Sequence, residues 1–80
     1  MTGMTITLYT KPNCGPCTGT KRAFESKGIA FEEQQAIDHI DTLRELGYQQ
    51  APVVVVTEGD AIRDHWSGLR PDKIEALKAA

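Results

Sequence analysis

Residues 6–17 read Ile6-Thr7-Leu8-Tyr9-Thr10-Lys11-Pro12-Asn13-Cys14-Gly15-Pro16-Cys17, and they hold both cysteines of the chain. Residues 5–10 alternate, with Ile6 and Leu8 on one face, and predict a strand. Lys11-Pro12-Asn13 breaks it. After the Cys-x-x-Cys, Thr18 to Lys27 predicts a helix in which Cys17, Thr20, Ala23, Phe24 and Lys27 recur at three- and four-residue steps, with Gly28 as the stop. Pro16 fits only the first turn, where its missing N–H has no partner to lose. A strand, a Cys-x-x-Cys and a helix form an arrangement in which a dithiol does redox work. The reason is electrostatic. A helix N-terminus presents free N–H groups and roughly half a positive charge, which favours a thiolate over a thiol. An ordinary thiol near pKa 8.5 is only a few per cent ionised at neutral pH, whereas one near 7 is about half ionised.

Working outward, Ile29 to Gln34 predicts a second strand, with Ile29 and Phe31 in alternation. Asp38 is placed to cap a second helix, with Ile40, Leu43 and Leu46 on one side and Gly47 at its end. Ala51-Pro52-Val53-Val54-Val55-Val56 has no polar alternation and predicts a strand buried on both faces. Glu58-Gly59-Asp60 is a turn, and Ala61 to Trp66 a short fourth strand in a hairpin with the third. Ser67-Gly68 breaks it. Pro71 starts a last helix, with Ile74 and Leu77 inward and Asp72 favourable in its first turn. The order β-α-β-α-β-β-α implies an α/β fold. Its first unit carries a right-handed crossover between parallel strands, and its four-stranded mixed sheet is flanked by three helices.

Eighty residues make one domain, residues 1–80, that buries roughly 60–65% of its surface. A net charge of −2 gives no case for nucleic acid, although Lys11, Lys21, Arg22 and Lys27 gather toward the first helix. No apolar run approaches the ~20 residues of a membrane span; the longest is residues 51–56. Met1-Thr2-Gly3-Met4 lacks the basic and apolar regions of a signal peptide, and Met4 is an alternative start. The expectation is a monomer in a reducing cytoplasm, where a cysteine pair serves catalysis or metal binding more often than it staples a fold.

Cys14-Gly15-Pro16-Cys17, Gln50-Ala51-Pro52-Val53-Val54, the Gly59-Asp60 turn and the element order together resemble the glutaredoxin branch of the thioredoxin fold, over nearly the whole chain. Trp66-Ser67-Gly68-Leu69-Arg70-Pro71 is similar to the Trp-Ser-Gly-Phe-Arg-Pro signature of the NrdH-redoxins. Gly47 to Pro52 and Arg70-Pro71-Asp72-Lys73-Ile74 look like that family too. The resemblance implies an electron donor with no bound cofactor. Thioredoxin reductase, using NADPH and FAD, would reduce it. It would in turn reduce the large subunit of class Ib ribonucleotide reductase. The sequence departs from the family pattern at Leu69, where an aromatic is usual. It departs again at Gly15-Pro16, a pair typical of thioredoxins, while Asn13 stands where a thioredoxin has Trp.

Cys14, the more N-terminal and exposed thiol, is the expected nucleophile, and Cys17, one turn into the helix, the expected resolving thiol. Gly15 and Pro16 set their spacing. A structural disulfide is the bland alternative, weakened by the little chain entropy so short a loop removes. A zinc or iron–sulfur site is another, and it lacks two of four usual ligands, because His39 and His65 have no matching spacing. Lys11 is either a charge that stabilises the thiolate or a solvated loop lysine. Pro52, by itself the first residue of a strand, is cis on the resemblance, which also implies that the Ala51 backbone pairs with substrate. Trp66 is either a core residue or part of a partner-docking segment with Ser67, Gly68, Leu69, Arg70 and Pro71. Arg70 is expected to hold that loop through backbone carbonyls. Tyr9 reads as core, Pro12 and Asn13 as turn formers, the histidines as surface or helix-end residues, and the acids from Glu32 to Glu45 as ordinary solvation. A glutathione-dependent glutaredoxin is the main functional alternative; against it, Ser67-Gly68-Leu69-Arg70 after the fourth strand holds no paired acids of the kind that receive the glutathione amine in such proteins. A metal carrier or a non-catalytic interaction module is the third reading.

Overall fold

A computed structural model describes residues 4–79; the reading of the N-terminus rests largely on residues 1–3, which lie outside it. The elements are β1 Met4–Thr10, α1 Gly15–Ser26, β2 Glu32–Gln35, a 3-10 turn Ala36–His39, α2 Ile40–Glu45, β3 Val53–Glu58, β4 Ala61–Ser67 and α3 Pro71–Ala79. The sheet order is β2-β1-β3-β4. β2 runs parallel to β1, and β3 runs antiparallel to both β1 and β4. This is the mixed sheet with three helices that the sequence implies.

The valines set its layering. Val54 and Val56 join Ile6, Leu8, Phe24, Trp66 and Ile74 in one core, which α1 and α3 cover. Val53 and Val55 join Leu43 in a second core on the opposite face, lined by Tyr9, Leu46 and Tyr48. Strand periodicity of two sends successive residues to opposite faces, so an unbroken apolar run serves both layers.

Register then gathers the site. Tyr9 at the end of β1 and Ser67 at the end of β4 both lie opposite Val53, the first residue of β3. Three strand ends therefore meet at one edge of the sheet, the edge from which β1 leads into α1.

Two glycines close their helices as expected. Gly28 and Gly47 have φ of 70° and 91°, the left-handed conformation that a side chain disfavours. At α1, Ile29 N–H donates to Phe24 O and Gly28 N–H to Glu25 O; at α2, Tyr48 N–H donates to Leu43 O and Gly47 N–H to Arg44 O. Both are Schellman closures, and the second turns the chain so that Tyr48 heads toward β4.

The middle of the chain departs from expectation. β2 begins at Glu32, and its side chains are all exposed. Ile29 and Phe31 precede it and pack on the first core, Phe31 with its ring centroid 5.2 Å from that of Phe24. Their apolar alternation marks the approach to an edge strand, where backbone pairing with β1 decides the extent. Asp38 does not cap α2. It lies inside the 3-10 turn, and the residue before α2 is His39, whose side chain makes no capping bond.

Trp66 is only 3% exposed and belongs to the first core. Among the described residues its indole N–H has no hydrogen-bond partner, and Lys73 Nζ stands 5.9 Å from the ring centroid. Trp66→Ala should therefore cost about 3–5 kcal/mol and lower the melting temperature by at least about 10 °C, read by thermal unfolding; a loss below about 1 kcal/mol would remove the indole from the core.

Candidate functional site

Cys14 sits immediately before α1 with extended backbone angles, φ −114° and ψ 108°, and occupies the N-cap position. Its Sγ accepts the Cys17 N–H at 3.2 Å. A sulfur therefore does here what a Ser or Asp oxygen does in other helices. The Cys14 carbonyl accepts both the Thr18 N–H and the Thr18 hydroxyl at 3.2 Å. No acidic residue occupies the first turn of α1, so the positive end of the helix dipole is left to the sulfur. Pro16 stands in that first turn as expected.

Cys14 and Cys17 are joined by a disulfide, with their Cα atoms 5.2 Å apart. Cys14 is 9% exposed and Cys17 3%. The more N-terminal cysteine is thus the more accessible, and a groove of about 430 Å³ reaches both, with Lys11, Thr18, Lys21 and Glu33 in its walls.

The Ala51–Pro52 peptide bond is cis. The Ala51 carbonyl oxygen lies 4.0 Å from Cys14 Sγ, which brings together two regions far apart in sequence. In the disulfide the sulfur carries no proton; a Cys14 thiol in the same place could donate one toward that oxygen. The carbonyls on either side of Ala51 are held from β4. Ser67 Oγ lies 3.3 Å from Gln50 O and 3.0 Å from Pro52 O, and Gly68 N–H donates to Pro52 O at 2.9 Å. Tyr48 anchors the start of the same segment, its hydroxyl 2.7 Å from His65 Nδ1 in an edge-to-face pair. His65 is therefore a strand residue with a structural partner, not a surface or helix-end histidine.

The stretch from Trp66 to Pro71 departs from expectation in two places. The buried Trp66 indole offers no docking surface; Leu69, Arg70 and Pro71 are the exposed members. Arg70 does not bond backbone carbonyls with its side chain. Its Nε and Nη2 reach Asp72 Oδ1 and Oδ2 at 3.2 and 3.0 Å, and that bond and charge raise the guanidinium and lower the carboxyl from their usual ranges. Leu69 packs toward α1, where a Cβ on Gly19 would come within 3.3 Å of Leu69 Cδ2. The spacing of apolar residues gave no sign of this contact, because a mid-helix glycine reads only as a weakness.

Lys11 is exposed and lines the dithiol groove. The lysine of α1 that finds a partner is Lys21, at 2.9 Å from Glu33. Thr10 Oγ1 donates to the same carboxylate at 2.9 Å. Glu33 thus belongs to the wall of the site rather than to ordinary solvation. Among the described residues no three His, Cys, Asp or Glu side chains are arranged to hold a metal, and no helix is long and apolar enough to cross a membrane.

A family profile described as Glutaredoxin matches residues 6–62. The glutaredoxin-like protein NrdH of Salmonella typhimurium is 48% identical over 77 residues, 92% of this chain and 89% of that protein. Its counterpart in Escherichia coli K12 is 41% identical over 80 residues, 96% of this chain and 93% of that one. The solved structure of the Escherichia coli NrdH-redoxin superposes with a TM-score of 0.79 at 39% identity, covering 90% of this chain and 92% of that one. Desulfothioredoxin from Desulfovibrio vulgaris Hildenborough also reaches 0.79, at 20% identity over 96% and 80% of the two chains, which is a likeness of fold alone.

Two measurements check this geometry. Ser67→Ala should cost about 1 kcal/mol of stability and slow disulfide reduction by about threefold to tenfold by loosening residues 50–52, with Ser67→Thr restoring the rate; an unchanged rate removes Ser67 from the site. The hydrogen bonds of Lys21 and then Thr10 hold the Glu33 carboxyl below its ordinary value of 4.5, against the upward pull of burial. The unfolded chain therefore binds this proton first. The contribution is complete above about pH 4.5 and is lost as pH falls through the lower folded value. With Glu33 35% exposed, Glu33→Gln should remove at most about 0.5 kcal/mol at pH 7 and less at pH 3, read by urea unfolding at both.

Proposed function

The chain belongs to the glutaredoxin family as an NrdH-like thiol–disulfide oxidoreductase, and we propose that it is a cytoplasmic electron donor. In this reading thioredoxin reductase reduces it at the expense of NADPH, and it reduces class Ib ribonucleotide reductase at the large subunit. The observation that carries the reading is the Cys14–Cys17 disulfide at the uncompensated N-terminus of α1, with Cys14 the more accessible cysteine.

The cycle follows from that placement. In the reduced protein the Cys14 thiolate attacks one sulfur of a substrate disulfide. A bond forms between Cys14 Sγ and that sulfur, and the other substrate sulfur leaves as a thiolate and takes a proton. The Cys17 thiolate then attacks Cys14 Sγ, closing the Cys14–Cys17 bond and releasing the second substrate thiol. Two electrons have passed to the substrate. The Cys17 N–H and the helix dipole stabilise the Cys14 thiolate both as nucleophile and as leaving group. Gly15 and Pro16 keep the two sulfurs one turn apart, and Lys11 adds positive charge to the groove. An extended substrate strand pairs with the Ala51 backbone, with Pro52 adding no competing N–H. Leu69, Arg70 and Pro71 form the exposed rim that meets the reductase, with Ser67, Gly68 and Trp66 supporting it from beneath.

Two considerations favour thioredoxin reductase over glutathione. The Escherichia coli relative at 39% identity is described as having a thioredoxin-like activity profile. The acid nearest the end of β4 on the rim, Asp72, is already engaged through both oxygens by Arg70, which leaves no paired acids there for the glutathione amine.

The test is NADPH consumption with a protein disulfide, driven in parallel by thioredoxin reductase and by glutathione with glutathione reductase. Turnover with thioredoxin reductase at least about tenfold above the glutathione system supports the proposal. Turnover with glutathione alone makes this a glutathione-dependent glutaredoxin.

A further inference from the structure

A second trough, of about 800 Å³, adjoins the dithiol groove and shares Thr10, Lys11, Pro12 and Gln35 with it. Its far wall is the 3-10 turn and α2, and its near wall is residues 48–51, ending at Ala51 beside Cys14. A polypeptide attached to Cys14 has this trough as one exit from the site.

Two features mark its lining. The first is apolar. Ile37, 75% exposed, and Ile40, 42% exposed, are two of the four exposed large apolar side chains among the described residues. They stand three residues apart, the spacing that places side chains together on a helical surface, and both line the trough. Neither closes a core. The second is charge. Among the described residues Lys11 and Arg44 are the only charged ones in the lining, on a chain whose net charge is −2. Lys21, Lys27, Arg63, Arg70 and Lys73 are each paired with a carboxylate. Among the described residues Lys11, Arg22 and Arg44 form no ion pair, so two of the three uncompensated cations face this one trough. The acids of the same segment, Asp38, Asp41 and Glu45, are exposed and lie outside the lining.

Resting on the disulfide-reductase reading above, we propose that the trough binds the stretch of a protein substrate that flanks its disulfide, and that the stretch it selects is extended, acidic and apolar. An apolar side chain of the substrate covers Ile37 and Ile40, and its carboxylates face Lys11 and Arg44. Exposed charges of this kind contribute chiefly to encounter rate and to choice of partner, and added salt screens them. The trough therefore favours one class of disulfide over another without altering the exchange chemistry at Cys14.

The experiment uses the full chain, reduced with dithiothreitol and desalted, and follows single-turnover reduction of three synthetic peptides with the same internal disulfide. Their flanks are Leu-Glu-Glu, Leu-Lys-Lys or Ser-Glu-Glu, and neutral bis(2-hydroxyethyl) disulfide is the fourth substrate. The Leu-Glu-Glu peptide should react about tenfold faster than Leu-Lys-Lys at low ionic strength, and within about twofold of it in 0.5 M salt. Arg44→Glu should bring the ratio to about one or below. Ile37→Ser should bring Leu-Glu-Glu down to the rate of Ser-Glu-Glu. Equal rates for the acidic and basic peptides, or a ratio that Arg44→Glu leaves intact, overturns the trough assignment. If the neutral disulfide is still reduced in that case, the oxidoreductase reading stands; if no substrate is reduced, that reading falls and this one with it.

Discussion

Val53, Val54, Val55 and Val56 have no face that can be left to water. Each is buried, and full burial of such a side chain is worth roughly 1.5–3 kcal/mol. The strand that carries them must lie inside the sheet and be covered on both sides. β1 and β4 flank it, α1 and α3 cover one face, and α2 covers the other. The site inherits its position from this constraint. Because β3 runs antiparallel to both neighbours, its first residue lies beside the last residues of β1 and β4. The loop that follows β1 carries Cys14, the segment that precedes β3 carries Ala51 and Pro52, and the segment that follows β4 carries Ser67 and Gly68. One packing requirement brings all three to the same edge.

At that edge a structural job and a chemical one fall on the same atom. The first N–H groups of a helix need acceptors. In α1 the Cys14 sulfur takes that of Cys17, and no first-turn carboxylate competes for the dipole. The helix is left short of negative charge at its start, and a thiolate supplies it. Opposite, the Ala51 carbonyl faces the sulfur while its neighbours on either side are held by Ser67. Rigid backbone on one side and a helix dipole on the other give disulfide exchange a fixed geometry. The reacting groups need not pay for ordering themselves at each encounter.

The surface divides along the same lines. Cations near the dithiol differ in how they are balanced: Lys21 is tied to Glu33 in the wall of the site, whereas among the described residues Lys11 and Arg44 form no ion pair. Arg70 and Asp72 bond each other across the start of α3, which stiffens the rim that Leu69 joins to α1 through Gly19. The Trp66 to Pro71 motif therefore combines a core residue, a backbone clamp and an exposed rim within six positions. A single role could not have been read from the motif as a unit.

Local chemistry and periodicity determined the element order, the dithiol at a helix start, the doubly buried β3 and the stops at Gly28 and Gly47. Each follows from the preferences of a few neighbouring residues. The same signals misplaced the start of β2 and the cap of α2. Apolar alternation at Ile29 and Phe31 reports burial, while strand extent is set by backbone pairing with β1, and a cap depends on where the 3-10 turn before α2 ends. The tertiary structure alone decided which distant groups meet: Ser67 with Gln50 and Pro52, Tyr48 with His65, Leu69 with Gly19, Glu33 with Lys21, and Trp66 with the core. The pairs other than those of Trp66 join residues from 12 to 50 positions apart, across segments that sheet register and helix packing bring together. No local preference encodes such a distance, and it appears only once the valine strand has fixed its neighbours.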